Sequence, residues 1–252
     1  MNARKYLLLT LVSVCFPAFA QSPATPGNAS STLAQLQSVF SGGKPVTNVQ
    51  LTGTATWHAG SLEDTGPATL TASSMGAAQM QLLLAKSGER SEKQDSIGPG
   101  MTCQWSTDGQ PAQPADAMNC WKGAVWFLPA ISLQAAAIPA SVGIADYGME
   151  TDSSGTVHHL QSQLVLANLP ADMTTKAMQE STIDIGLDPA SLLPARVSYK
   201  VHPDNGASLQ LPIEVRFSNY KKVSGVEVPF LIQRYVNGSL QLEIDVQSAQ
   251  IN

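Results

Sequence analysis

Charged residues are scarce in this chain. They make up 13% of its 252 residues, about half the share of an average soluble protein. Acidic residues outnumber basic ones by 19 to 14, and beyond the N-terminus the basic residues cluster only at Lys221-Lys222. This balance argues against phosphate-driven binding of nucleic acid. The apolar share of 43% is nearly average, so the chain can still bury a core of ordinary size.

Catalytic motifs are also missing from the sequence. It contains no H-E-x-x-H, G-x-S-x-G, P-loop or dinucleotide-binding fingerprint. Histidine occurs only at His58, His158, His159 and His202. Neighbouring residues of a strand point to opposite faces, so His158 and His159 are poorly placed to hold one metal ion. We therefore predict a protein that is not an enzyme and that carries no metal and no cofactor.

No apolar run reaches the length of about 20 residues that a membrane-spanning helix needs. The first 20 residues instead resemble a signal peptide, with Arg4 and Lys5 before an apolar stretch at 7–14 and an A-x-A cleavage site ending at Ala20. Cleavage there would remove two basic residues and no acidic one, which lowers the formal charge from −5 to −7. The sequence thus predicts a periplasmic or secreted protein of a Gram-negative-type envelope.

Cysteine is limited to three positions. Cys15 raises the alternative of a lipoprotein signal, which is disfavoured because bulky Val14 stands where such signals have a small residue. Cys103 and Cys120 are predicted to form one disulfide, as an even pair in an exported protein does. A zinc site is disfavoured because no C-x-x-C or nearby histidine completes a ligand set.

Alternating apolar and polar residues, the pattern of half-buried strands, dominate the chain. The turn sequences Asp204-Asn205-Gly206, Ser224-Gly225 and Asn237-Gly238 indicate hairpins between successive strands. We predict a mainly β (α+β) fold that contains an antiparallel meander with one buried face. Arg234 is a polar exception among the apolar residues of that face. The strand at 88–97 is predicted to face solvent. The predicted strands are 49–57, 68–72, 79–85, 88–97, 102–107, 157–166, 181–187, 194–202, 208–217, 226–235 and 239–251.

Helical signals are few. Residues 33–41 have apolar residues at helical spacing and end at Gly42-Gly43. The segment 121–145 is the most apolar of the mature chain and is interrupted by proline, which predicts short helices. We predict a flexible N-terminal arm at 21–32 and a single domain at 33–252, with 121–145 as an apolar helical insert.

The C-terminal fifth resembles a known family. The run F-S-N-Y-K-K-V-S-G-V-E-V-P-F at 217–230, followed by Tyr235-Val236-Asn237-Gly238, is similar to the end of the outer-membrane lipoprotein-sorting (LolA/LolB-like) superfamily, particularly its uncharacterised envelope members. The strand start L-P-A-R-V at 193–197 fits the same family. The resemblance implies a strongly curved antiparallel sheet, an unclosed β-barrel whose concave face is covered by short helices.

The resemblance also implies a function. Proteins of this superfamily bind acyl chains of lipoproteins or other lipids in the concave cavity, so we expect a monomeric periplasmic binding or carrier protein for such a hydrophobic ligand, with the segment 121–145 as a lid. Envelope membrane proteins are candidate partners. The alternative is an envelope protein-interaction or sensor module on the same scaffold, without a transported ligand. The residues expected to line the apolar cavity are Trp57, Leu82, Leu84, Trp105, Trp126, Phe127, Leu128, Val215, Phe217, Phe230 and Ile232.

Overall fold

The computed structural model of the protein describes residues 27–98, 100–166, 169–202 and 209–252. The segment 1–20 with its predicted signal peptide and Cys15 lies outside the described residues, as do the first half of the predicted arm, at 21–26, and the turn at 204–206.

Fourteen strands in the described part of the chain form one antiparallel sheet. The spatial order is β1-β8-β9-β10-β11-β12-β13-β14-β2-β3-β4-β5-β6-β7, so the short strands β1 and β7 are the two edges and the sheet does not close into a barrel. The predicted fold class is therefore confirmed. The strands are β1 Gly27–Asn28, β2 Asn48–Ala59, β3 Leu62–Ser73, β4 Ala78–Leu84, β5 Gly88–Gln94, β6 Cys103–Thr107, β7 Gln113–Pro114, β8 Val142–Asp152, β9 Gly155–Leu164, β10 Ile183–Leu187, β11 Pro194–Val201, β12 Leu211–Val223, β13 Val226–Val236 and β14 Ser239–Ile251.

Four α-helices and one 3₁₀ helix complete the described secondary structure. The helices are α1 Ser30–Ser41, α2 Ala117–Trp121, α3 Pro129–Ala136 and α4 Ala171–Glu180, with the 3₁₀ helix at Ala124–Phe127. None of the helices in the described ranges combines the length and apolar character that crossing a membrane requires.

The alternation of residue types determines which face of the sheet is buried. Ile213, Val215 and Phe217 of β12 are buried on the concave face, whereas Glu214 and Arg216 between them point to the outer face. The hairpin between β13 and β14 has positive φ angles of 50° at Asn237 and 77° at Gly238, as a type I′ turn requires. The register of the strongest β region thus follows directly from its sequence.

Helices α1 and α3 and the 3₁₀ helix cover the concave face. Helix α1 buries Leu36 and Phe40 and ends at Gly42, whose φ of 64° is the left-handed conformation typical of a helix end. Helix α3 begins with Pro129, where the missing N–H costs nothing, and buries Ile131 and Leu133 completely. These side chains join the inward residues of the strands in one hydrophobic core.

The structure corrects the predicted arm and insert at their boundaries. Gly27–Asn28 pair with β8 and α1 begins at Ser30, so the part of 21–32 that is described is not an arm without secondary structure. The helical part of the insert ends at Ala136, and β8 already begins at Val142. Strand β8 was missed because a register shift at 146–148 breaks its alternation. Helix α4 was missed because its sequence is mostly polar, and none of its residues is buried in the fold.

Candidate functional site

Residues 121–136 of the segment predicted as a lid form a packed plug on the concave face. Trp121 and Trp126 are fully buried, and their rings meet edge to face with centroids 5.7 Å apart. The Trp121 indole N–H donates to the carbonyl of Ser181, and the Trp126 indole N–H donates to the carbonyl of Trp121 at 2.7 Å. Both polar atoms are therefore satisfied inside the core, which stabilises the two rings in one arrangement.

The predicted disulfide is confirmed. Cys103 on β6 is bonded to Cys120 at the end of α2, and the two residues are 17 positions apart. The bond joins the last long strand of one sheet edge to the start of the plug. Because Cys103 also borders the cavity described next, the disulfide holds one wall of that cavity in place.

An open cavity of about 480 Å³ remains beside the plug, on the concave side. Strands β5 and β6 form one wall, the ends of β11 to β13 form another, and α2 with the residues that follow it lies at the base. The volume falls in the range of about 300–1,000 Å³ that is typical of small-molecule pockets. The apolar and aromatic lining residues are Trp57, Trp105, Tyr199, Val201, Leu211, Ile213 and Val236.

Charged side chains share this cavity with the apolar ones. Strand β5 turns Arg90, Glu92 and Gln94 inward, because they pair with the buried residues Leu82, Met80 and Ala78 of β4. Arg234 extends from β13 toward the same place, and its guanidinium lies 3.3 Å from a carboxylate oxygen of Glu92. The guanidinium carbons of Arg90 and Arg234 lie 4.5 Å and 5.4 Å from the Trp57 ring centroid, within cation–π distance.

A buried lysine lies at the base of the cavity. Lys122 is 3% exposed, and its ammonium donates a hydrogen bond to the carbonyl of Lys200 at 2.6 Å. Burial lowers the pKa of Lys122, although the charges of Glu180 and Asp116 oppose that shift. Desolvation in the same region raises the pKa of the buried Tyr199 hydroxyl, so Tyr199 stays neutral at physiological pH.

The residues predicted to line a cavity are divided between two places. Trp57 and Trp105 line the open cavity. The other nine are buried in the core beside it, and among them Phe127 comes within 5.6 Å of the Arg234 guanidinium. The nine core residues are Leu82, Leu84, Trp126, Phe127, Leu128, Val215, Phe217, Phe230 and Ile232.

Sequence reasoning missed the charged part of the cavity. Arg234 was visible as a polar interruption on the apolar face of β13, but it carried no assigned role. The polar strand at 88–97, which contains β5, was predicted to face solvent. The half-buried positions of Arg90 and Glu92 depend on how β5 folds over the concave side, which its own composition does not encode.

The histidine pair lies away from the cavity. His158 bonds to Asp146 at 2.7 Å, whereas His159 on the other face of β9 lies 3.0 Å from Asp184 and 2.8 Å from Glu150. Burial by itself would lower the pKa of His159, but the two carboxylates outweigh it and raise that pKa. No group of three or more histidine, cysteine, aspartate or glutamate side chains within the described ranges is arranged to hold a metal ion.

The fold is similar to that of several solved structures. No protein-family model and no curated protein matches the sequence. A protein from Vibrio parahaemolyticus described as an outer membrane lipoprotein-sorting protein domain is similar at a TM-score of 0.54 and 12% identity, over 89% of this chain and 94% of that one. A LolA superfamily protein from Nitrosomonas europaea gives a TM-score of 0.53 and 9% identity, with coverage of 89% and 93%.

A third structure extends this likeness. A DUF1329 family protein from Desulfovibrio piger matches at a TM-score of 0.53 and 10% identity, over 88% of this chain and 91% of that one. In all three cases the match spans nearly the whole of both chains, so it concerns the complete sheet rather than a shared hairpin. The chain therefore has the LolA-like fold.

Proposed function

We propose that the protein is a periplasmic binding or carrier protein for a hydrophobic ligand such as a lipid or the acyl chain of a lipoprotein. The observation that carries this proposal is the open cavity of about 480 Å³ between the concave face and the plug, with its aromatic and aliphatic walls. Ligand pockets are concave, mostly apolar and largely preformed, and this cavity has those properties.

The location and the absence of catalysis are parts of the same proposal. The signal-peptide pattern at 1–20 and the Cys103–Cys120 disulfide favour an oxidising compartment outside the cytoplasm. The neighbour from Vibrio parahaemolyticus is described as a lipoprotein-sorting domain, and the shared fold makes a carrier role a reasonable proposal here. A carrier needs a cavity and no reacting groups, which agrees with a sequence that has no catalytic motif.

The test is native mass spectrometry of protein exported to the periplasm of a Gram-negative host and purified without detergent. We expect a fraction of the protein to carry an additional mass that organic extraction releases as lipid. A uniformly ligand-free spectrum, together with no binding of added lipid, would overturn the carrier role and favour the interaction or sensor module.

A matched pair of variants on one strand connects the result to the cavity. Val236→Trp places an indole in the cavity, because Val236 is one of its lining residues. Leu231→Trp makes a similar change on the same strand, but Leu231 alternates with the buried residues of β13 and points to the outer face. The bound mass should be lost in the first variant and retained in the second.

A further inference from the structure

We infer that the cavity binds an anionic amphiphile, with a carboxylate or phosphate headgroup held by Arg90 and Arg234 and an apolar tail against the neighbouring walls. This inference rests on the proposed function and assigns the chemical class of its ligand.

The cavity concentrates positive charge. The side chains of Arg90 and Arg234 extend into it with the single carboxylate of Glu92 beside them, and the buried ammonium of Lys122 lies at its base. The chain as a whole carries a formal charge of −5, so this positive charge is local to the cavity. A concave site lined in this way attracts anions rather than cations.

Arg90 has no anionic partner among the residues that the structure describes. Its guanidinium lies over the Trp57 ring, and its Nε is buried without a hydrogen-bond partner. The Nε of Arg234 is also buried and unpartnered, and the single carboxylate of Glu92 is the partner of that arginine alone. Buried charged donors are costly unless an anion or an acceptor satisfies them, so this pair is prepared for a negatively charged group.

Both guanidinium groups lie in the same part of the cavity. Their carbons are 4.5 Å and 5.4 Å from the centroid of the Trp57 ring. Guanidinium forms paired hydrogen bonds with carboxylate and phosphate oxygens, which makes it the side chain suited to either headgroup. Apolar lining residues begin directly beside the pair, with Trp57 and Trp105 on one side and Ile213 and Val236 on the other. A free inorganic anion would leave these apolar walls without a partner, whereas an amphiphile uses both parts of the cavity.

The test compares four probes on the full-length protein, with intrinsic tryptophan fluorescence as the readout, since Trp57 and Trp105 line the cavity. The probes are dodecanoate, dodecan-1-ol, dodecyltrimethylammonium and inorganic phosphate, all used below the concentrations at which they aggregate. Dodecanoate should bind at least about tenfold more tightly than dodecanol, because a charged hydrogen-bonded pair adds that much in a partly buried site. Dodecyltrimethylammonium should bind more weakly than dodecanol, and phosphate alone more weakly than dodecanoate.

Four variants locate the effect. Arg90→Gln and Arg234→Gln should each bring the affinity for dodecanoate down toward that for dodecanol. Arg216→Gln removes the same charge from the outer face, where Arg216 is half-exposed, and should leave the preference intact. Glu92→Gln removes the competing carboxylate and should strengthen dodecanoate binding several-fold, so the inference is still tested if an arginine variant does not fold.

Each contrary outcome has a distinct meaning. Equal affinity for dodecanoate and dodecanol, or a preference that survives both arginine variants, overturns the anionic headgroup and leaves the carrier role standing. Phosphate that binds as tightly as dodecanoate shows an anion site without a tail site and overturns the amphiphile. If none of the dodecyl probes binds, the proposed function fails together with this inference.

Discussion

The concave side of the sheet has two parts that are built from different residues. In the part that the plug fills, Trp121, Trp126 and Leu133 are fully buried. In the open part, beside β5 and β6, the inward residues are Arg90, Glu92 and Trp105, and a cavity of about 480 Å³ remains. The same face of one sheet is thus a core at one place and a candidate binding site at another.

The contrast shows that stability and binding are separated along the sheet. The plug satisfies its indole N–H groups internally and contributes packing. The cavity lining keeps charged nitrogens without partners and a tryptophan that is 37% exposed, and both features cost stability unless a ligand covers them. Variants in the first part should change the free energy of unfolding, and variants in the second part should change affinity.

The largest expected effect is on the free energy of unfolding, when a tryptophan is replaced by alanine in each of the two parts. Trp126→Ala removes a fully buried ring and should lower the free energy of unfolding by about 3–5 kcal/mol. Trp105→Ala removes a ring that is 37% exposed and should lower it by less than about 1 kcal/mol. Urea titrations followed by far-UV circular dichroism measure both values. Equal losses would show that the open part is as important for packing as the plug.

The next effect concerns the disulfide, which connects the two parts. Replacing both Cys103 and Cys120 by serine opens a loop of 17 positions and should cost about 3 kcal/mol in the same urea titration. Wild-type protein treated with a reductant should lose a similar amount, and the double variant should not respond to the reductant. A double variant as stable as the oxidised wild type would mean that packing alone holds the cavity wall.

The sequence predicted the packed regions of the fold more successfully than the cavity. The strand at 239–251 and the Asn237-Gly238 turn agree with the structure because alternation and turn chemistry are local properties. Helix α1 was predicted from its apolar spacing and ends at Gly42 as expected. In contrast, α4 was not predicted: only four of its ten residues, Ala171, Met173, Ala177 and Met178, are apolar, and none of its residues is buried.

The sequence does not separate the walls of a cavity from the core, for a physical reason. Apolar residues on a strand signal burial, but they do not distinguish a core from a pocket wall. Phe217 and Ile232 belong to the core, whereas Ile213 and Val236 on the same two strands line the cavity. Which of them meets open space depends on where the plug ends, and that is a property of the assembled fold.

The third expected effect is on the affinity for dodecanoate, which should change in a cavity variant and not in a plug variant. Trp105→Ala should weaken the affinity for dodecanoate by about tenfold, since a large aromatic contact to a ligand contributes on the order of 1–2 kcal/mol. Leu133→Ala, in the plug, should destabilise the protein by about 2–5 kcal/mol and leave the affinity of the folded protein unchanged. Fluorescence titration well below the unfolding transition measures both affinities. The separation of the two parts is refuted if Leu133→Ala weakens binding as much as Trp105→Ala does.

The smallest expected effect comes from the outer face, which belongs to neither part. Asp184 and Glu150 hold the pKa of His159 above its ordinary value despite burial, so the protonated form stabilises the folded state. That contribution is complete below about pH 6.5 and is lost as the pH rises through the folded-state pKa. The pKa of Asp184 is lowered, because the His159 and Gln161 hydrogen bonds outweigh its desolvation, so Asp184 stays ionised throughout this window.

His159→Gln and Asp184→Asn test this assignment. Relative to either variant, the wild-type free energy of unfolding should decrease by up to about 1 kcal/mol between about pH 6 and pH 8, the size expected of a partly exposed ion pair. Urea titrations at several pH values measure the difference. Parallel pH profiles for wild type and variants would mean that His159 has the same affinity for protons in the folded and unfolded states. A slope that both variants remove would instead place a pH-dependent contribution to stability at the β8 to β10 side of the sheet, separate from the plug and the cavity.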